Sequence, residues 1–462
     1  MLEPLRDRRE PLRLYVRTFG CQMNEYDSLR VQRLLAPLGY VPVGEIEDAD
    51  VIFLNTCSVR EKAEQKVLSF IGGLRRLKYG KPHLKIVVAG CVAQQLGEKL
   101  LNRFDHLDVV LGTRGVGSIA QILETIRETG ERTACLPVED IPEPSEDGRE
   151  IFAQGGLTAP VTVMQGCNNF CTYCIVPYVR GRERSRPSAD ILREIARLEA
   201  SGVREVLLLG QNVNSYGRGL DEKITFSGLI RRIAFETGIL RIRFTTSHPK
   251  DLTDDLMRCF AEVDALCKHL HLPVQSGSDP ILARMNRGYT ASEYMEKVGR
   301  LRGICPEIAL TSDVIVGFPG ETGEDFHKTM DLLERVRFDN LFSFRYSDRP
   351  NARAAAFAGK VGPEVGARRL VELQGYQAEV ALQKNLAETG SVREVLVEGP
   401  SKASNGQMTG RTTHNRIVNF DAPSWLRGRI AEIKITGAYS HSLRGDIILR
   451  AGGSACLEPK TP

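Results

Sequence analysis

The N-terminal part of the chain alternates short apolar runs with longer stretches of helical periodicity. The runs LRLYVRTF, ADVIFLN and LKIVVAG are rich in β-branched residues, and an amphipathic stretch follows each of them. Strands that alternate with helices are typical of a parallel sheet with helical crossovers. The pattern therefore predicts an α/β domain over residues 12–128. An acidic, proline-rich segment follows, and we interpret residues 129–152 as a linker.

The same alternation resumes over residues 153–385 on a longer scale. Helical segments separate several of its predicted strands, which are VTVMQG, EVLLLGQ, RIRFTTS, KHLHLPV, LTSDVIVGF and NLFSFRYS. These repeats predict a partial (β/α)6 barrel, whose chemistry is expected at the carboxyl ends of the strands. A helix over about residues 364–388 should end before Gly390. Residues 388–450 then show short strands split by glycine and asparagine turns, which predicts a small all-β barrel.

Composition and charge exclude several classes of protein. No apolar run reaches the roughly 18 residues of a membrane span, and the charged N-terminus has no apolar core of a secretion signal. We therefore expect a cytoplasmic protein without a membrane segment. The chain has 462 residues, 11 cysteines and a formal net charge of +4. In a reducing compartment, cysteines more often bind metal or react than form disulfides.

The motif GCNNFCTYC places three cysteines directly after the first predicted barrel strand, and we call them the barrel triad: Cys167, Cys171 and Cys174. Three thiolates can bind three irons of a 4Fe–4S cluster and leave the fourth iron open to another ligand. The alternative is a zinc site with a distant fourth ligand, since zinc usually collects four. The short spacing favours the cluster.

Three further cysteines each stand just past the end of a predicted strand, and we call them the sheet triad: Cys21, Cys57 and Cys91. The carboxyl ends of parallel strands share one edge of a sheet, so these residues could converge there. They could then bind a second cluster with an open iron. The alternative is three core cysteines, because free cysteine is often buried. The polar neighbours in CQMN and NTCS favour the cluster.

Together the two triads resemble the radical S-adenosylmethionine (SAM) methylthiotransferases. The similarity runs from about residue 12 to 450, departs at none of the six cysteines, and is carried by TFGCQMNEYDS (residues 18–28), NTCSVREKAE (55–64), GCVAQQ (90–95) and residues 166–186. Within that family the chain is most similar to the enzymes that modify isopentenyl-adenosine beside the tRNA anticodon.

The resemblance implies two 4Fe–4S clusters, one on each triad. The cluster on the barrel triad would bind SAM and cleave it to a deoxyadenosyl radical, which can open the unreactive C–H bond at carbon 2 of adenine. The cluster on the sheet triad would carry the sulfur, which a first SAM methylates before a second supplies the radical. A reductant such as a flavodoxin or ferredoxin would supply the electrons.

The resemblance also implies contacts to SAM. Tyr173 matches the aromatic residue that the family places against the adenine. Gln211 and Asn212 end the second predicted strand, where they could meet the methionine amino group, and Ser247 ends the third, near the ribose.

A further adenine contact is implied by DVIVGFPGE (residues 313–321), which resembles the GxIxGxxE element of the family. Ile315 would lie against the adenine. Asp313 stands where the element has its first glycine.

Two groups of arginines are candidates for RNA binding. The first group occupies alternate positions after the barrel triad and consists of Arg180, Arg182, Arg184 and Arg186. Such a row is often only a solvated face, but beside a reactive centre it favours contacts to phosphate. The second group is Arg411 and Arg416 in GRTTHNRIVNF (residues 410–420), which resembles the RNA-binding TRAM domain.

The leading hypothesis is a tRNA methylthiotransferase that acts as a monomer. A sister enzyme acting on threonylcarbamoyl-adenosine or on a ribosomal-protein aspartate is the first alternative. A non-catalytic RNA-binding iron–sulfur protein or electron carrier is the second, although a carrier gains nothing from open irons. The remaining cysteines are interpreted as bystanders: Cys135, Cys259, Cys267, Cys305 and Cys456.

Overall fold

The computed structural model describes residues 11–58, 61–137, 156–402 and 406–448. Internal contacts divide the chain into two compact units. Among the described residues, the first unit holds those below 138 together with residues 165–167 and 175–183. The second unit holds the others. The nine residues 175–183 therefore fold with the N-terminal unit, although the sequence places them just after the barrel triad.

The first unit is built on a parallel sheet with the strand order β2-β1-β3-β4-β5-β6. Its strands are β1 (Leu12–Phe19), β2 (Tyr40–Pro42), β3 (Val51–Thr56), β4 (Lys85–Gly90), β5 (Val109–Leu111) and β6 (Thr133–Cys135). Its helices are α1 (Gln22–Leu35), α2 (Glu61–Gly73), α3 (Arg75–Gly80), α4 (Cys91–Leu96), α5 (Glu98–Arg103), α6 (Ile119–Glu128) and α7 (Val176–Val179).

Helices cover both faces of this sheet. Every residue of β3 is buried. Its side chains alternate between two hydrophobic clusters, with Val51 and Phe53 in one and Ile52 and Leu54 in the other. Parallel strands that are buried on both faces appear in sequence as continuous apolar runs, which explains the run VIFL. The predicted α/β sheet is confirmed.

The sheet extends past residue 128, where the sequence placed the end of the domain. Strand β6 pairs in parallel with β5 through Val109–Thr133 and Leu111–Cys135. Residues 133–135 therefore belong to the sheet and not to the linker. A three-residue edge strand is too short to show an apolar pattern, which is why the sequence did not reveal it. Residues 138–152 of the predicted linker lie outside the described residues.

All six strands predicted for the central domain are present in the second unit. They form two parallel sheets with the orders β11-β10-β7 and β12-β13-β14, and a parallel bridge from Ile242 to Leu266 continues from β11 toward β12. The strands are β7 (Thr158–Thr162), β10 (Glu205–Leu209), β11 (Arg241–Phe244), β12 (His269–His271), β13 (Ala309–Val316) and β14 (Asn340–Arg345). The short strands β8 (Met164–Gln165) and β9 (Arg184–Ser185) flank the barrel triad in sequence. The partial barrel is confirmed.

Helices separate these strands as predicted, and α14 follows the last of them. They are α8 (Ser188–Ala200), α9 (Phe226–Glu236), α10 (Asp254–Glu262), α11 (Asp279–Arg284), α12 (Ala291–Ile304), α13 (Gly323–Val336) and α14 (Pro363–Leu386). Thr290 and Thr322 cap α12 and α13 in capping boxes with Glu293 and Asp325, which satisfies backbone N–H groups that the first turn leaves free. Within the described ranges, no helix is both long and apolar enough to cross a bilayer.

The C-terminal segment closes into a barrel with the order β15-β16-β17-β19-β18. Its strands are β15 (Val392–Pro400), β16 (Met408–Thr412), β17 (Ile417–Asp421), β18 (Ile430–Ala438) and β19 (Leu443–Ile447). Two buried arginines of β11 attach it to the central strands within the second unit. Arg243 donates to Thr412 O at 2.6 Å, and Arg241 donates to Glu394 O at 3.1 Å.

Candidate metal centres

The sheet triad lies at the carboxyl edge of the N-terminal sheet. The paired registers of β1, β3 and β4 run up to Thr56 and Gly90. Cys57 and Cys91 are the next residues after β3 and β4, and Cys21 stands between β1 and α1. The parallel sheet therefore brings to one edge three cysteines that are far apart in sequence, as predicted.

Two glycines let the backbone come close at this edge. A Cβ on Gly20 would lie 2.8 Å from the Cβ of Cys57. A Cβ on Gly90, whose φ is +93°, would lie 2.4 Å from Thr56 O. Both distances are shorter than any real contact. A side chain at either position would therefore displace the cysteine loops.

A buried amide pair supports the loop that carries Cys21. Asn24 Nδ2 donates to Asn55 Oδ1 at 2.7 Å, and Asn55 Nδ2 donates to Asn24 O at 2.7 Å and to Ser28 Oγ at 3.1 Å. Cys21 Sγ donates to Asn24 Oδ1 at 3.2 Å. These bonds fix α1 against the end of β3, so the position of the Cys21 thiol depends on the neighbouring strand.

The thiols at this edge have different environments. A hydrogen bond with Cys57, opposed by burial and assisted by the charge of Arg180, lowers the pKa of Cys21 to about 6. Burial raises the pKa of Cys91, although Arg180 opposes this shift. A lowered pKa favours the thiolate, which is the form that binds metal.

Arg180 is buried beside the sheet triad, and its position corrects the role predicted for it. Its side chain is 3% exposed, and Nη2 donates to Asp27 Oδ2 of α1 at 2.8 Å. The segment that carries it is held by Thr113, whose Oγ1 donates to Val179 O at 2.5 Å. A guanidinium with so little exposure is not available to RNA phosphate. The alternating arginine pattern predicted contacts to RNA phosphate, and contacts with α1 and α4 exclude Arg180 from that role.

The part of the barrel-triad loop that carries Cys171 and Cys174 is held at several points by other residues of the second unit. Thr172 N donates to Met285 O at 3.0 Å, and Thr172 Oγ1 donates to Arg284 O at 2.9 Å. Asn286 Nδ2 donates to Phe170 O at 3.1 Å, where Phe170 adopts a φ of +48°. These bonds fix Cys171 and Cys174, whose own backbones are joined by a 2.9 Å bond.

Cys167 is held separately by residues of the first unit. Its N–H donates to Gly181 O at 3.1 Å. The preceding Gly166 has a φ of +76°, and a Cβ there would lie 2.0 Å from Arg182 O. The glycine of GCNNFCTYC is therefore required by the close approach of two backbone segments.

A buried arginine that the sequence did not reveal stands beside the barrel triad. Arg287 Nη1 lies 3.4 Å from Cys171 Sγ and 3.3 Å from the hydroxyl of Tyr173. Its Nη2 donates to Pro273 O at 2.8 Å, and Nε donates to the hydroxyl of Tyr289 at 2.9 Å. The guanidinium can thus offset negative charge on a thiolate. No motif in the sequence identifies Arg287, because NRGYT (residues 286–290) is typical of an ordinary turn.

Two residues predicted to contact adenine fall in the same apolar cluster. Tyr173 and Ile315 pack against a core formed by Ile281, Met285, Phe318 and Ala354. Burial raises the pKa of Tyr173 well above its usual value. Tyr173 stands between Cys171 and Cys174 in sequence, so this apolar cluster lies at the loop that carries them.

The other predicted SAM contacts lie at the carboxyl ends of β10 and β11. Asn212 Nδ2 donates to Asp251 Oδ2 at 2.8 Å, whereas its buried Oδ1 has no hydrogen-bond partner. Ser247 Oγ donates to His271 O. Gln211 is partly exposed beside Asn212. Asn212 Oδ1 is therefore an acceptor that a donor such as an ammonium group would satisfy.

The remaining predicted RNA-binding arginines differ in exposure. Arg182 and Arg184 are exposed. Arg186 is partly buried and pairs with Glu194 at 2.7 Å. In the C-terminal barrel, the side chain of Arg411 is 30% exposed and lies 3.2 Å from Glu398.

Arg416 is largely buried and makes its contacts within the protein. It pairs with Asp339 at 2.7 Å and is 14% exposed, so its main contact fastens the barrel to the central strands.

The predicted bystander cysteines are dispersed. Cys259, Cys267 and Cys305 are buried, and burial raises the pKa of each. Cys135 is half-buried, 3.8 Å from Ser118 Oγ, and Cys456 lies outside the described residues. In the described part of the chain, no three His, Cys, Asp or Glu side chains surround the position of a single metal ion, as a closed zinc site requires.

Three segments match known families. Residues 13–112 match the family described as Uncharacterized protein family UPF0004, residues 161–333 match the Radical SAM superfamily, and residues 386–448 match the TRAM domain. The three matches follow the order of the N-terminal sheet, the partial barrel and the C-terminal barrel.

Several relatives are similar along nearly the whole chain. The tRNA-2-methylthio-N(6)-dimethylallyladenosine synthase of Syntrophobacter fumaroxidans is 65% identical over 442 residues, covering 96% of this chain and 97% of that protein. The protein of the same name from Geobacter sulfurreducens is 51% identical over 439 residues, covering 95% and 98%.

A solved structure shares the fold. The radical S-adenosylmethionine methyltransferase TsrM from Kitasatospora setae gives a TM-score of 0.54 over 75% of this chain and 74% of that chain, at 14% identity. At this identity the likeness concerns the fold alone.

Proposed function

The chain belongs to the family of tRNA-2-methylthio-N(6)-dimethylallyladenosine synthases, and on this premise we propose how its own residues carry out that reaction. The reaction replaces the hydrogen on carbon 2 of N6-isopentenyladenosine, beside the tRNA anticodon, with a methylthio group. The names of the relatives favour this substrate over those of the sister enzymes. The observation that carries the proposal is the convergence of the sheet triad at one sheet edge, in a chain that also holds the barrel triad.

Two groups of residues would hold the iron–sulfur cofactors. The barrel triad would hold one 4Fe–4S cluster, and the sheet triad would hold a second. When bound, the first cluster and SAM supply the radical chemistry that opens an aromatic C–H bond, and the second cluster supplies the sulfur.

The residues near the barrel triad fit a cluster with bound SAM. Arg287 supplies a buried positive charge beside Cys171, which suits a site of several thiolates. Tyr173 and Ile315 would bind the adenine and exclude water from it. Asn212, with its unsatisfied Oδ1, would accept a hydrogen bond from the methionine ammonium, assisted by Gln211. Ser247 would lie near the ribose.

The residues near the sheet triad also fit an anionic group. Asn24 fixes the loop of Cys21, and the glycines at positions 20 and 90 bring the loops together. Nη1 of Arg180 is buried without a hydrogen-bond partner in this structure. An ordinary core would satisfy or exclude such a group, so its presence supports a ligand at this edge.

The substrate and the reductant would use the exposed surface. Arg182 and Arg184, with Arg186 and Arg411 in support, would contact phosphates of the anticodon stem-loop, whose unpaired target base is reached at lower cost than a base in a duplex. Electrons would come from a flavodoxin or ferredoxin. A cytoplasmic location and a monomeric state complete the proposal.

Iron analysis combined with nucleoside analysis tests this function. Anaerobically prepared protein should hold about eight irons per chain, as two 4Fe–4S clusters require. Cys57→Ala should reduce this to about four and abolish methylthiolated adenosine in tRNA of a deletion strain, read by mass spectrometry. SAM cleavage by the reduced variant should persist, because the barrel triad is intact.

Cys135→Ser is the matched control, since Cys135 lies in the same sheet but outside both triads. It should retain iron and product. Full methylthiolation by Cys57→Ala would contradict the proposal, and accumulation of unmodified threonylcarbamoyl-adenosine in the deletion strain would assign a sister reaction instead.

A further inference from the structure

The side chain of Arg180 presents an unusual combination of contacts. One guanidinium nitrogen, Nη2, donates to Asp27 Oδ2 at 2.8 Å, while Nη1 is buried and has no hydrogen-bond partner. Asp27 Oδ1 is likewise buried without a partner. The residue as a whole is 5% exposed. A buried cation with one unused donor costs free energy unless something accepts from it.

The surroundings of this guanidinium are the sheet triad. Cys91 packs in one apolar cluster with Ile175, which precedes α7, and Val179, which ends α7 next to Arg180. Arg180 hydrogen-bonds with the side chain of Cys91, and its partner Asp27 lies on α1, which begins directly after Cys21. The unused donor is therefore placed beside the sheet triad.

We propose that Arg180 is a sulfur-binding residue of the sheet-triad centre, donating a charge-assisted hydrogen bond from Nη1 to an anionic sulfur held there. This inference rests on the proposed second cluster. The acceptor is either a sulfide of the cluster itself or the exchangeable sulfur that is to be transferred. Both are soft anions that a buried guanidinium stabilises. Asp27 holds the guanidinium of Arg180 in position.

Arg180 lies six residues after Cys174 of the barrel triad, yet its segment folds into the first unit. Thr113 Oγ1 donates to Val179 O, and Gly181 is closely approached by Arg114, because a Cβ on Gly181 would lie 1.2 Å from Arg114 Nη2. The segment is thus held on both sides of Arg180.

Spectroscopy on full-length protein tests the inference. The background carries alanine at the three barrel-triad positions, so that only the sheet-triad cluster is present. In reduced protein labelled with ¹⁵N-arginine, electron–nuclear double resonance should detect a coupled ¹⁵N, and Arg180→Lys should remove it. Arg180→Gln should also shift the electron paramagnetic resonance spectrum or weaken the binding of methanethiolate about tenfold or more. Arg127→Gln, an exposed site on α6, is the control and should change nothing.

The outcomes are separable. A spectral shift in Arg180→Gln without added methanethiolate identifies a cluster sulfide as acceptor, and a change only in methanethiolate binding identifies the exchangeable sulfur. A cluster that binds normally but shows no ¹⁵N coupling and no effect of either substitution overturns the inference alone. Failure of the background protein to bind iron overturns the second cluster and this inference together.

Discussion

The guanidinium of Arg287 lies 3.4 Å from the sulfur of Cys171, in a position with 4% exposure. It spans the distance between the barrel-triad loop and the turn after β12, because it also donates to Pro273 O. A thiolate ligand that accepts from a buried cation is stabilised in its charged form. Arg287 therefore joins the loop of Cys171 to the turn after β12.

Replacement of Arg287 should affect both stability and SAM cleavage. Arg287→Met should cost about 2 kcal/mol in the free energy of unfolding, because Pro273 O and the Tyr289 hydroxyl lose their donor. Reductive cleavage of SAM should fall severely. Urea unfolding of the apoprotein and quantification of deoxyadenosine measure the two effects.

Arg284→Met is the control for this prediction, since that side chain is exposed on the same segment. It should retain SAM cleavage. Wild-type cleavage by Arg287→Met would show that the contact with Cys171 is incidental.

The glycine that ends β4 should be required for the sheet-triad cluster. Gly90→Ala places a Cβ 2.4 Å from Thr56 O at a φ of +93°, and should cost about 3 kcal/mol or more. Iron content should fall from about eight to about four per chain.

Gly130→Ala is the control that separates backbone strain from steric overlap. Gly130 also has a positive φ, +72°, but a new Cβ there would have no atom within 4 Å. It should cost only about 1 kcal/mol and keep all iron. Equal iron loss in both variants would contradict the role of the close approach at Gly90.

Exposed and buried arginines should contribute differently to the salt dependence of tRNA binding. Arg184→Gln should weaken tRNA binding and reduce the slope of log K against log salt concentration by roughly 0.7–0.9, the value for one lost phosphate contact. Arg416→Gln should leave the slope unchanged and instead destabilise the protein by about 2 kcal/mol, since Asp339 loses one of its two cationic partners and keeps Lys384 at 2.7 Å.

Filter binding over a salt series and thermal unfolding measure the two quantities. An unchanged slope in Arg184→Gln would remove that residue from the RNA interface, and a reduced slope in Arg416→Gln would return that residue to it.

Acid should destabilise the central barrel through His248. Burial, assisted by the charges of Arg287, Lys250 and Lys297, lowers the pKa of His248 to about 2. The unfolded chain binds this proton below about pH 6.5 and the folded chain does not, so stability falls as the pH drops through that range. From pH 7 to pH 5 the loss should be about 2 kcal/mol.

His248→Asn should remove that part of the pH dependence, because an amide can still accept from Lys250 N as His248 Nδ1 does at 3.3 Å. Urea unfolding at both pH values measures it. His327→Asn, at an exposed position on α13, should leave the dependence intact. An unaltered dependence in His248→Asn would assign the acid sensitivity to other groups.

The sequence by itself determined the longer strands, the helices that alternate with them and the two cysteine triads. These features depend on local periodicity and on spacing, and a parallel sheet must bring residues such as Cys57 and Cys91 to one edge whatever the details of packing. For the same reason the long strands were predicted and the three-residue β2, β5 and β6 were not.

Only the tertiary structure decided which charged groups serve the sites. Arg180 meets Asp27 across 153 residues of sequence and Arg287 meets Cys171 across 116, and no local pattern encodes such contacts. Arg180 and Arg184 look equivalent in VRGRERSRP, yet one is buried and the other exposed. Burial depends on which distant element packs over a side chain, and that is settled only when the whole chain folds.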